Sequence, residues 1–193
     1  MSERPAGVRT WRRADPLPQA QRLALSATFV ALGVVLSYFS VPIGPAKVFP
    51  FQHVINVVAG VLVGPWYAVL TAFGISVIRS ALGTGTLLAF PGSMFGALVV
   101  GYAYRWLRRP EAGLLEPVGT VIIGGLVGYA MIAGLDAPAT LLGFIKASPP
   151  SGQPYLGIFG GALAIVVSFA VSSVPGSILG YFALLAIRRA GIR

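Results

Sequence analysis

Cysteine is absent from this 193-residue chain, histidine occurs once, and aspartate and glutamate together number five. Without cysteine there is no disulfide, no thiolate metal site and no cysteine nucleophile. One histidine and five acids leave very few possible ligands for a metal site. Charge of either sign is scarce as well: 10% of the residues are charged, where a soluble domain carries about a quarter. The chain contains no HExxH, no GxSxG and no P-loop with its lysine, and no pair of acids lies within an apolar run to serve as acid and base. The composition argues against an enzyme and calls for no cofactor or metal in this chain.

What is present is apolar. Hydrophobic residues make up 56% of the sequence, and the mean hydropathy is +0.83. Water cannot be the main solvent of such a chain. At about 20 residues per crossing, the length accommodates five or six spans and leaves no room for a separate soluble domain. The expected fold class is an all-α membrane protein, a bundle of six transmembrane helices with both termini cytosolic. Residues 1–21 read as a cytosolic Arg- and Pro-rich tail, 22–190 as one transmembrane domain and 191–193 as a cytosolic end.

Charged residues divide the apolar part into uncharged windows. Leu23–Val41 fits one crossing. The window Val48–Ile78 is interrupted at Gly64-Pro65, which predicts a helical hairpin with a short arm from about Pro50 to Val63 and a second from Trp66 to Leu82. Gly83-Thr84-Gly85-Thr86 and Phe90-Pro91-Gly92 read as loop, so the next helix is predicted from Ser93 to Leu107, and a glycine-rich one follows over Pro117–Leu135. The run from Leu156 to Ile187 is long for one span. A bend or break is predicted near Ser172–Gly176, where Pro175 removes a backbone donor. Six crossings is the favoured count and seven segments the alternative.

The net charge of +9 is distributed by side. With the N-terminus inside, Arg4, Arg9, Arg12, Arg13, Arg22, Arg105, Arg108, Arg109, Arg188, Arg189 and Arg193 are cytosolic, and only Lys47, Arg79 and Lys146 are outside. That asymmetry follows the positive-inside rule. It ties the basic balance to topology rather than to nucleic acid, and it leaves three outer cations that need a local reason.

Two of these cations belong to the densest polar cluster of the chain: Lys47, Gln52, His53 and Asn56 from one stretch, and Arg79, Thr84, Thr86 and Ser93 from another. Spacings of three and four place Gln52, His53 and Asn56 on one helix face. Polar groups at membrane depth are costly and face a partner or a cavity. The plainer reading is that they hydrogen-bond neighbouring helices while the lysines sit at headgroups; the convergence of the whole set points to a pocket. His53 alone reads as a hydrogen-bonding group. Glu116 and Asp136 flank a predicted helix and read as capping or interfacial groups. Ala27 and Ala31, like Gly124 and Gly128, have the small-xxx-small spacing that lets helices approach. Neither internal repeats nor buried coupling groups of a secondary transporter are evident.

The run from Pro42 to Asn56 (PIGPAKVFPFQHVIN), followed by Gly64-Pro65, Ile78-Arg79, Gly83–Thr86 and Ala89–Ala97 (AFPGSMFGA), resembles the ThiW family of substrate-binding S components of energy-coupling factor (ECF) transporters. The resemblance spans the membrane part, is concentrated between Pro42 and Ala97, and leaves out residues 1–21. It implies six helices in the cell membrane. It also implies a transmembrane coupling protein and two cytosolic ATPases as partners, which would consume the ATP, and a role in vitamin uptake and thiamine salvage. The implied substrate is the thiazole precursor hydroxyethylthiazole. Ala27 and Ala31 match the spacing through which such proteins meet the coupling protein. The ligand would sit beneath the outer loops, held by Lys47, Gln52, His53, Asn56, Arg79, Thr84, Thr86 and Ser93, with Phe90 or Tyr155 over its ring. Whole thiamine is a cation and would call for carboxylates or an aromatic cage, which suits this cluster less well. Thiamine or another vitamin as substrate, a self-sufficient secondary transporter and a structural membrane protein stand as alternatives.

Overall fold

A computed structural model describes residues 17–43, 46–135 and 157–191. Helix α1 (Gln19–Leu36) is followed by two three-residue strands, β1 (Val41–Ile43) and β2 (Ala46–Val48), then by α2 (Pro50–Leu62), α3 (Pro65–Ala81) and α4 (Ala89–Leu107). A further helical segment starts as a 3₁₀ turn at Pro110–Leu115, widens to a π-helix at Val118–Gly124 and continues as α5 (Gly125–Leu135); α6 (Gly157–Arg189) completes the described chain. The bundle is thus not wholly helical. β1 and β2 pair antiparallel with Val41 opposite Val48 and Pro42 opposite Lys47. β-Branched residues favour this hairpin, and a two-stranded sheet has only edge strands, where Pro42 is tolerated.

The break at Gly64-Pro65 falls where the sequence predicts it. Gly64 has φ +88°, a left-handed conformation open to glycine, and Pro65 opens α3 at a position where its missing N–H costs nothing. Helix α4 begins four residues earlier than the predicted Ser93. Pro91 lies in its first turn, where backbone N–H groups have no intrahelical partner, so the proline does not interrupt it. Helix α6 runs unbroken through Pro175, so of the predicted bend or break the break is absent and the seven-segment alternative is not observed there.

The surface of this bundle is inverted relative to a soluble protein. Large apolar side chains such as Val35, Leu70, Phe73, Ile122, Leu126, Val167 and Phe182 are exposed, whereas Gln52, His53, Asn56, Arg79, Glu116, Thr120 and Ser173 are buried. A hydrocarbon solvent imposes that sorting, because apolar groups lose nothing by facing lipid while polar groups must find partners inside. Among the described residues, three helical stretches are long and apolar enough to cross a membrane: Gln19–Leu36, Pro110–Met131 and Ile165–Arg189.

Helix α2 lies at the centre. Its 13 residues rise about 20 Å, short of a hydrocarbon core of about 30 Å, but ten of them are buried, from Pro50 to Val61. Val57, Val58 and Val61 pack with Val100 of α4 and Leu184 of α6. Gly180 permits the approach of α6, since a Cβ there would stand 2.7 Å from Val57 Cβ. The short helix is accommodated because protein, not lipid, surrounds it.

Candidate functional site

Polar side chains meet at one end of the bundle, where α2 begins, α3 ends and α4 begins, against the middle of α6. The last turn of α3 carries Arg79, which is only 2% exposed. Its guanidinium donates to Gln52 Oε1 and, through Nη2, to the Thr84 carbonyl at 3.1 Å, and it lies 4.1 Å above the centre of the Phe49 ring. The turn after α3 folds back so that Thr84 N and Gly85 N both donate to the Arg79 carbonyl at 2.9 Å. Ser172 Oγ of α6 accepts the Phe49 N–H at 3.0 Å and so fixes the aromatic wall. Among the described residues Arg79 makes no ion pair, and its Nε, like the Thr86 hydroxyl, has no hydrogen-bond partner.

A second polar layer is centred on Glu116, which is fully buried. Its Oε1 lies 2.8 Å from His53 Nδ1, 3.1 Å from Asn56 Nδ2 and 2.6 Å from Thr120 Oγ1, and its Oε2 accepts from Ser173. Thr120 Oγ1 is also 2.8 Å from the Gly92 carbonyl, so its single proton serves two acceptors. The close approach of α4 depends on Gly96: a Cβ there would collide with Glu116 Oε1 and Thr120 Oγ1. The π-helical turn after Glu116 is of a kind often found at functional sites. It turns Gly119 and Gly124 onto the α4 backbone beside Phe95 and Pro91.

Between the two layers is a cavity of about 40 Å³, bounded by Phe49, Gln52, His53 and Arg79 on one side, by Thr86, Ala89, Gly92 and Thr120 on another, and by Ser168, Phe169 and Ser172 of α6. That volume holds about three waters at about 10–15 Å³ each. An organic ligand therefore requires one wall to move.

Four of the ten predicted site residues, Gln52, His53, Arg79 and Thr86, line this cavity. Asn56 lies one layer deeper, on Glu116. Thr84 holds Arg79 through its backbone rather than its hydroxyl, which instead donates to the Arg79 carbonyl at 3.3 Å. Ser93 bonds the Ala89 carbonyl and Ser76, joining α4 to α3. Phe90 packs edge-on against Phe73, 5.7 Å away, and is not among the lining residues, whereas Phe49 is. Lys47 is on β2, and Tyr155, Lys146 and Asp136 lie outside the described residues. Sequence reading missed Glu116, assigning it to helix capping, and with it Thr120, Ser173, Phe49 and Phe169. The available signal was an acid at the head of an uncharged run, with a hydroxyl, Thr120, four residues on.

An apolar exterior around buried polar layers and a small cavity is the architecture of a multi-helix membrane protein. The chain belongs to the ThiW family: the family model described as thiamine-precursor transporter protein (ThiW) matches residues 23–149. This is a family of transporters, not enzymes. No curated protein and no solved structure matched the chain. The matched region ends before α6, so Ser172 and Ser173 come from outside it.

Proposed function

We propose that the chain is the membrane-embedded substrate-capture subunit of an ATP-driven ECF importer, with hydroxyethylthiazole as its ligand. The observation that carries this reading is the cavity beside Arg79. Its lining offers a buried cation, an amide and an imidazole but no carboxylate among the described residues, which favours a neutral heterocycle over the thiamine cation. Gln52, His53, Arg79 and Thr86 would contact the ligand, with Asn56, Thr84 and Ser93 supporting them and Phe49 taking the stacking role expected of Phe90. Lys47 and Tyr155 complete the proposed outer rim.

In this reading six crossings place the N-terminus in the cytosol and the cavity toward the outside of the cell membrane. Ala27 and Ala31 are exposed on α1, which supports their use as the docking face for the coupling protein; the ATPases would bind that protein. Reconstituted proteoliposomes test the assignment. Uptake of labelled hydroxyethylthiazole should require the coupling protein, both ATPases and ATP. Uptake by the chain alone would favour the second reading, a self-sufficient transporter, which the buried Glu116–His53 pair would suit.

A further inference from the structure

Three unfulfilled hydrogen bonds adjoin the same small cavity. Arg79, 2% exposed, keeps an unpaired Nε donor, and the Thr86 hydroxyl is buried without a partner among the described residues. His53 presents the third. Nδ1 faces Glu116 Oε1 at 2.8 Å, and when it donates there the neutral imidazole keeps a lone pair on Nε2. Nε2 forms no hydrogen bond with the described residues, and His53 lines the cavity.

The space is about 40 Å³, room for about three waters, enough for one small polar group but not for a heterocyclic ring. A hydroxyl fits within that space and both donates and accepts. A phosphate is larger and its ionised oxygens only accept, leaving Nε2 unanswered. An ammonium only donates and would meet the Arg79 cation.

We propose that this cavity is the hydroxyl subsite of the ligand pocket: Arg79 donates to the oxygen of a terminal alcohol, His53 Nε2 accepts its proton, and Glu116 is the positioning residue that fixes the imidazole. The proposal rests on the functional reading above and adds which ligand group enters and which residues select it.

Calorimetry on the purified full chain in detergent tests it with three probes: hydroxyethylthiazole, the analogue with ethyl in place of hydroxyethyl, and the phosphate ester of the alcohol. A site built to bond a hydroxyl rejects the analogue lacking it by large factors. The ethyl analogue and the ester should each bind at least about 100-fold more weakly than the alcohol. Binding of either within about threefold of the alcohol overturns the subsite and leaves the transport reading standing; no binding of any probe overturns both. In Glu116→Gln the preference for alcohol over ethyl should fall at least about tenfold. A merely structural role for Glu116 would weaken both probes together and keep their ratio, which would overturn its part in the proposal. The wild-type comparison decides the subsite even if that variant does not fold.

Discussion

His53 Nδ1 lies 2.8 Å from Glu116 Oε1, tying the first turn of α2 to a carboxylate 63 residues further along the chain. Around this contact Asn56, Thr120 and Ser173 converge on the same carboxylate, so one acid joins α2, α6 and the segment that begins at Pro110. In lipid these groups have no water to fall back on, and losing their shared acceptor leaves several donors unpaired at once.

Glu116→Leu should therefore destabilise the bundle by about 3–5 kcal/mol, because several buried donors lose one charged acceptor and each such bond is worth about 1.5–3 kcal/mol. Chemical unfolding in detergent micelles measures it. Combined with His53→Leu, the loss should be smaller than the sum of the two single losses. A loss below about 1 kcal/mol would show that the network does not hold the helices.

Gly96 is where α4 meets that network. Gly96→Val would force side-chain atoms into Glu116 Oε1 and Thr120 Oγ1, and overpacking of this kind costs about 1–3 kcal/mol. A melting temperature unchanged from wild type would mean that α4 can retreat freely.

Arg79→Ala should weaken ligand binding at least about tenfold, since charge-assisted hydrogen bonds are worth about 1.5–3 kcal/mol. Phe90→Ala should leave affinity within about twofold, because that ring faces Phe73, while Phe49→Ala should weaken binding. The reverse ranking of the two phenylalanines, read by calorimetry, would restore Phe90 to the pocket.

Parts of this arrangement are legible in the sequence because the chain is so poor in polar groups. Gly64-Pro65 marks the α2–α3 junction through backbone chemistry alone, and Gln52, His53, Asn56 and Arg79 stand out within apolar runs. Pro91 misled because a proline beside a glycine reads as a breaker, whereas the first turn of a helix tolerates it. At Pro175 the helix does not break: α6 continues through it despite the lost donor, packed against α2 through Gly176 and Gly180. Glu116 could not be placed because its burial is decided by residues remote in sequence, above all Gly96, which gives it room, and Ser173, 57 positions away. Beside Pro117 it has the local appearance of a capping acid.

Variants on the exposed face of α1 test the docking proposal separately from binding. Replacing Ala27 and Ala31 together with phenylalanine should abolish ATP-dependent uptake in cells that carry the full transporter, while calorimetric affinity of the purified variant stays within about twofold of wild type. Uptake at the wild-type rate would remove this face as the docking surface.

The claim on which the rest depends is that the Arg79 cavity binds a thiamine precursor. Titrating hydroxyethylthiazole into the purified full chain and into Arg79→Ala tests it most directly. The account predicts saturable one-to-one binding to the first and at least about tenfold weaker binding to the second; no heat of binding to wild type, or equal affinity in both proteins, would contradict it.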